Sequence, residues 1–191
     1  MKTKEKIKIL VVPANDGGCS YYRAIMPFEK LQQHCSEEAE IRFDKNPLNW
    51  NTETNIAEKI SEDIEWCDVI MTQNISNFGP AFMVELFKTA RENNCFIHYD
   101  TDDLLTEIYP GHRLYDIYQE RKLSELTIGL YKNADLVTVT QKKFANRIVD
   151  HVNGTLAVVK NAIDFDLPCW NLSKQYRTSK KQPCKVGWVG G

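Results

Sequence analysis

Three features of the sequence predict an α/β fold with a Rossmann-like parallel sheet and helices on both faces. Short apolar runs alternate along the chain with stretches of helical periodicity. Small and polar residues collect just after each run, where open parallel sheets place their ligands. The composition, 42% hydrophobic and 26% charged over 191 residues, is globular and far from that of a disordered chain. A chain of this size buries roughly 70% of its extended surface. That suffices for one full core, or one core plus a fragment of a second.

The elements follow in order. Ile7–Val12 (IKILVV) is a near-continuous apolar run, the pattern of a strand buried on both faces. A Gly-Gly turn comes next, then a short turn of helix over 20–26 and a regular helix from Pro27 to Gln33, because an interior proline breaks the ladder. Residues 40–43 form a second strand. Ile56, Ile60 and Ile64 recur at helical spacing and predict a helix with an isoleucine face. Residues 68–72 (DVIMT) make the third strand. Gly79-Pro80 opens a helix with proline in its first turn, and Phe82, Met83, Leu86, Phe87 and Ala90 form its core stripe. Strands over 95–99, 136–140 and 156–159 alternate with a helix carrying Leu123, Leu126 and Leu130 and a short one carrying Phe144 and Ile148. Right-handed crossovers join such units.

Charge and motif content exclude several classes. Lys and Arg number 24 against 26 Asp and Glu, a net charge of -2 without a strongly basic block, unlike a protein that wraps nucleic acid. The apolar run behind the Lys-rich start is too short for a signal-peptide core of about 7 to 15 residues or a membrane span of about 20, so a cytoplasmic location is expected. The six cysteines include no CxxC pair and read as reduced, mostly buried thiols. The four histidines lack HExxH or any other ligand spacing, and no Gly-x-Ser-x-Gly elbow is present. No metal and no cofactor are expected.

Two stretches carry candidate chemistry. In Asn15-Asp16-Gly17-Gly18-Cys19-Ser20-Tyr21-Tyr22-Arg23, adjacent glycines let the backbone turn tightly and approach a ligand. The loop reads either as a plain turn or as a phosphate or sugar contact, and Arg23 either as a diphosphate partner or as half of a structural ion pair. In His98-Tyr99-Asp100-Thr101-Asp102-Asp103, three carboxylates fall within four positions at a strand end. They are solvated, bind a cation, accept hydrogen bonds from a polyol, or cap a following helix. Tyr21-Tyr22 and the Tyr115/Tyr118 pair suit stacking on a sugar or base, or core packing.

Taken in order, the segments ILVVPANDGGCSYYRAIMPFEKL, FIHYDTDDLL, ADLVTVTQKKFANRI, VVKNAIDFDLPCW and KVGWVGG resemble the N-terminal half of GT-B glycosyltransferases, in particular the large retaining group of family-4-like architecture with its bacterial and phage members. Lys160-Asn161-Ala162 departs from that group's Pro-Asn-Gly turn. The resemblance implies an acceptor-side domain over residues 1–165, a linker over 166–183, and at 184–191 the first strand of an incomplete C-terminal donor domain. It implies transfer of a sugar from a UDP- or GDP-sugar to an acceptor that no residue names. Nucleic acid enters only as a modified-DNA acceptor. Matched residue by residue, it assigns a catalytic role to Asp100 and substrate contacts to Gly17, Gly18, Tyr22, Arg23, Asp102 and Asp103. Asn161 and Asp164 fall at the interdomain turn. The rival expectation is a non-catalytic Rossmann- or flavodoxin-like module that binds a ligand or partner.

Overall fold

The computed structural model describes residues 5–162 and 164. The expected linker over 166–183, the strand over 184–191, Cys169 and Cys184 lie outside the described residues. A compact unit ends at Asn161 and a second one starts at Ala162.

The elements are β1 (Ile7–Val12), α1 (Gly18–Ser20), a wide turn (Tyr21–Ile25), α2 (Met26–His34), β2 (Ala39–Phe43), β3 (Trp50–Asn51), β4 (Ile56–Ala57), α3 (Glu62–Trp66), β5 (Val69–Gln73), α4 (Pro80–Glu92), β6 (Phe96–Thr101), α5 (Tyr115–Glu120), α6 (Leu123–Asn133), β7 (Leu136–Val139), α7 (Lys142–Ile148), a 3₁₀ turn (Val149–His151) and β8 (Thr155–Val158). Six strands pair in the order β2-β1-β5-β6-β7-β8, and every pairing is parallel. The α/β, Rossmann-like sheet expected from the alternation is present.

Alternate strand residues feed two layers. Val11 and Met71 pack with Ala24 under the chain that leads into α2, and Ile9, Phe28 and Ile41 join them. The intervening residues Leu10, Val12, Ile70, Ile97, Tyr99, Val137 and Val139 belong to the main core with Phe82, Met83 and Leu86 of α4, Leu130 and Tyr131 of α6, and Phe144 and Ile148 of α7. All five stripe residues of α4 are buried there. Gly79, at φ +88, caps that helix in a conformation that glycine adopts without strain. Cys67 and Cys95 are buried with their sulfurs 3.7 Å apart, while Cys19 is exposed.

One local expectation is overturned. The three isoleucines do not share a helix. Ile56 pairs with Asn51 in a β3–β4 hairpin, Ile60 lies in a loop, and only Ile64 is buried, on α3. Asn51 explains the departure, because its carboxamide oxygen accepts from the amides of Glu53 and Thr54 and closes a turn that helix would forbid. Ser61 then caps α3, its hydroxyl accepting from the Asp63 amide, so the helix starts too late to reach Ile56 or Ile60. At Pro27 the structure keeps the expected division into a short irregular turn and a regular helix, which runs over Met26–His34 with the proline in its first turn. The Met26 amide reaches back to the Tyr21 carbonyl in an i→i+5 bond, and this wide turn absorbs the missing donor and the ring of Pro27 within one continuous helical path.

Candidate functional site at the carboxyl edge of the sheet

Strand order reverses at β1, with β2 on one side and β5 on the other. In open α/β sheets the loops leaving such a point part and form a crevice. The loop after β1 is held by Asn15, whose carboxamide oxygen accepts from the Gly17 amide at 2.6 Å and from the Ser20 hydroxyl at 3.2 Å. A Cβ on Gly17 would lie 2.8 Å from that oxygen and would push the Asn15 side chain off the amide it holds. Gly18 has open space on its Cβ side. Gly17 therefore serves the loop's shape, and Gly18 leaves its backbone approachable.

The wide turn swings Arg23 inward. Its side chain is only 3% exposed, as is that of Asp100, and the two meet as a bidentate pair. Arg23 Nε donates to Asp100 Oδ2 at 3.0 Å, and Nη2 donates to Oδ1. Nη1 donates to the Val159 carbonyl at 2.5 Å and to Asn161 Oδ1 at 3.1 Å. One guanidinium thus ties the first loop, β6 and the chain leaving β8. Thr138 on β7 donates its hydroxyl to Asp100 Oδ1 at 2.5 Å and meets His98 Nε2 at 2.8 Å. Burial lifts the Asp100 carboxyl above its ordinary value against the pull of Arg23 and Thr138. Burial and the Arg23 cation push His98 down to about 4.

Asp102 faces a different set of partners. It accepts from Asn74 Nδ2 at 2.8 Å, and the Cys19 thiol hydrogen-bonds to it, which with burial raises that thiol to about 11. Gln73, fully buried, donates to the Cys19 carbonyl at 3.2 Å. Asn74 stands at φ +46 and its amide bonds the Asp100 carbonyl. The ends of β1, β5 and β6 are thereby stitched together. Asp103 is exposed to solvent on one side, and partial desolvation of its carboxyl, followed by the neighbouring Asp102, raises its pKa. No helix begins at either aspartate, since the next one is α5, so neither is a helix cap.

Compared with protein-family models, curated proteins and solved structures, the chain matches none. The reading of the site accordingly rests on its own geometry. That geometry joins Arg23 to Asp100 directly and sets the Gly17-Gly18 loop beside Asp102 through Cys19. Tyr22, 40% exposed, makes a T-shaped ring contact with Tyr21. Tyr118 is buried. The sequence reading gave no individual role to Asn74, Thr138 or Cys19. Cys19 lies within the glycine loop it singled out, and Asn74 and Thr138 carried a signal as polar residues at the carboxyl ends of apolar strands. Among the described residues no three His, Cys, Asp or Glu side chains converge as metal ligands do, and no helix is long and apolar enough to cross a membrane.

Proposed function

We propose that this chain carries the acceptor-side domain of a GT-B-type glycosyltransferase that moves a sugar from a nucleotide-sugar donor to an acceptor. The observation that supports the reading best is the set of polar groups gathered where strand order reverses, the place at which open parallel sheets bind ligands. There the Gly17-Gly18 loop, Asn74 and Asp102 gather at the carboxyl ends of three parallel strands. The ordered resemblance of the segments to that enzyme group supports it as well.

In this reading the Arg23–Asp100 pair positions the site. Its hydrogen bonds are spent inside the domain, on the first loop, β7 and the end of β8. Asp102 and Asp103 are the carboxylates left near the open side for a substrate's hydroxyls. The approachable backbone at Gly18 faces developing negative charge as the nucleoside diphosphate leaves the anomeric carbon. The test is release or transfer of sugar by the protein across a panel of UDP- and GDP-sugars, with Asp102→Asn beside the wild type. Turnover that falls in Asp102→Asn supports the reading, and silence across the panel overturns it.

A specific observation favours the second reading. The order β2-β1-β5-β6-β7 is that of flavodoxin-like domains, many of which bind a ligand at this same edge. A non-catalytic module of that kind would be stabilised by Mg²⁺ or a small anion in a thermal melt, with the Mg²⁺ effect lost in Asp102→Asn, and would release no sugar.

A further inference from the structure

The amino edge of the sheet, opposite the candidate site, holds a pair of nucleophiles. Cys67 closes α3 two residues before β5, and Cys95 follows the last turn of α4 directly before β6. β5 and β6 pair in parallel from Val69 and Phe96 onward, so two helix-to-strand junctions 28 residues apart in sequence stand side by side. The sulfurs lie 3.7 Å apart. Both residues belong to the main core, Cys67 at 6% and Cys95 at 2% exposure.

A small apolar residue would fill either position, whereas two thiols in contact bring redox chemistry. Carbonyl groups surround the pair. Cys67 Sγ donates to the Ile64 oxygen at 3.5 Å, and Cys95 Sγ lies 3.6 Å from the same oxygen and 3.4 Å from that of Cys67. Two thiol protons thus share acceptors at the end of α3, where helical carbonyls lack partners within the helix. The Cys67 thiol donating to Cys95 holds the Cys95 pKa below its ordinary value against burial, and the same bond, with burial, raises that of Cys67. The pair is therefore asymmetric, with Cys95 the better nucleophile and Cys67 the sulfur placed to resolve it. Closing the gap from 3.7 Å to the about 2.0 Å of an S–S bond moves each sulfur by less than about 1 Å. Access is local. Asn94, exposed and at φ +57, lies in the turn between α4 and Cys95, so opening of one surface turn uncovers Cys95 with the strands in place.

We propose that Cys67 and Cys95 are a reversible oxidation site, a dithiol that hydrogen peroxide converts to an intrachain disulfide stapling the α3–β5 and α4–β6 junctions. The Cys95 sulfur attacks one peroxide oxygen and the O–O bond breaks. The departing hydroxide takes up the Cys95 proton and leaves as water, and Cys95 becomes a sulfenic acid. The Cys67 sulfur then attacks Cys95, the S–O bond breaks, and the hydroxyl leaves as a second water with the Cys67 proton. Two thiols lose two electrons and one peroxide gains them. A dithiol reductant reverses the change by thiol–disulfide exchange. Oxidation also takes both thiol donors from the Ile64 carbonyl, which opposes the staple and keeps the bond reducible. None of this chemistry depends on a transferase activity.

The test exposes the whole reduced chain to graded hydrogen peroxide, alkylates the remaining thiols in denaturant, and maps peptides without reduction. Trypsin puts the two cysteines on separate peptides, 60–88 and 92–113, so the bond reads as a linked pair lighter by two hydrogens. The Cys67–Cys95 link should appear at lower peroxide than any other disulfide and vanish with dithiothreitol. Because the bond spans 28 residues, it should raise the urea midpoint of the oxidised chain by about 1 to 2 M. Cys67→Ala should abolish the link and the peroxide-dependent rise together, leaving Cys95 as a sulfenic acid that dimedone traps. Should that variant fail to fold, the wild-type map decides alone. Recovery of both peptides fully alkylated at peroxide levels that oxidise Cys19 or Cys35 overturns the proposal. So does pairing of either cysteine with another, or a link that forms only in urea, where the fold no longer holds the sulfurs together.

Discussion

Replacing Asp100 by asparagine keeps the shape of the side chain and removes its charge, which isolates what the buried ion pair contributes. Asp100 is 2% exposed and Arg23 6%. Nε and Nη2 of Arg23 end on the carboxylate, so the variant leaves a guanidinium buried beside an amide that presents two donors of its own. Breaking one side of such a pair costs about 3 to 5 kcal/mol. A domain of this kind has only about 5 to 15 kcal/mol in total. With a urea dependence of about 2 kcal/mol per molar, the midpoint should fall by about 2 M. Equilibrium unfolding followed by tryptophan fluorescence and far-UV circular dichroism reads this directly. The double variant Arg23→Met, Asp100→Asn removes the stranded charge and should cost far less than the sum of the two single changes. A midpoint within experimental scatter of wild type for Asp100→Asn, or strict additivity in the double variant, would refute the positioning role. If turnover vanished while stability stayed intact, Asp100 would have to touch the reacting sugar instead.

Three further outcomes follow from the same geometry. Cys19 is exposed yet held by Asp102, and its rise from 9.0 to about 11 leaves about a hundredfold less thiolate at pH 8; iodoacetamide should modify it slowly, and Asp102→Asn should accelerate that reaction, as peptide mass mapping would show. The neutral form of His98 is favoured in the fold, with its value pushed from 6.5 to about 4. The unfolded chain therefore takes up the proton first, and stability declines as pH falls from 6.5 toward 4, by at most about 3 kcal/mol. The raised carboxyl of Asp100 acts in the opposite sense at the acid end. His98→Asn should flatten this decline in urea midpoints measured across the range. Gly154→Ala would set a Cβ 2.4 Å from the Asp135 carbonyl oxygen and should destabilise by about 1 to 3 kcal/mol in the same assay, whereas Gly18→Ala, with open space, should leave the stability within about 0.5 kcal/mol of wild type.

Much of the architecture was legible because strand and helix burial write different periods into the chain. IKILVV is a strand in both accounts. So is VIMT within β5, and the α4 stripe from Phe82 to Ala90 is buried as its spacing predicts. The isoleucines at 56, 60 and 64 misled because their spacing was helical while Asn51 and Ser61, through side-chain bonds to backbone amides, closed a turn and delayed the helix. Local polar bonds of that kind override a three-residue apolar pattern.

The candidate site divides in the same way. Gly17-Gly18, Arg23 and the aspartate run stand out by type and by position after strands, so their presence at the carboxyl edge was set by the one-dimensional pattern. Their partners were not. Arg23 and Asp100 lie far apart in the chain and meet because the i→i+5 turn before Pro27 directs Arg23 inward, while parallel pairing of β6 and β7 brings Thr138 to the same carboxylate. The charges of Asp102 and Asp103 face Gln141 and Lys143 only because α7 starts directly behind β7. Sequence alone determined the alternating units and the polar residues at their ends, since periodicity and turn chemistry are local. Tertiary structure decided which of those residues neutralise one another and which stay available, because pairing and desolvation depend on neighbours supplied by other strands.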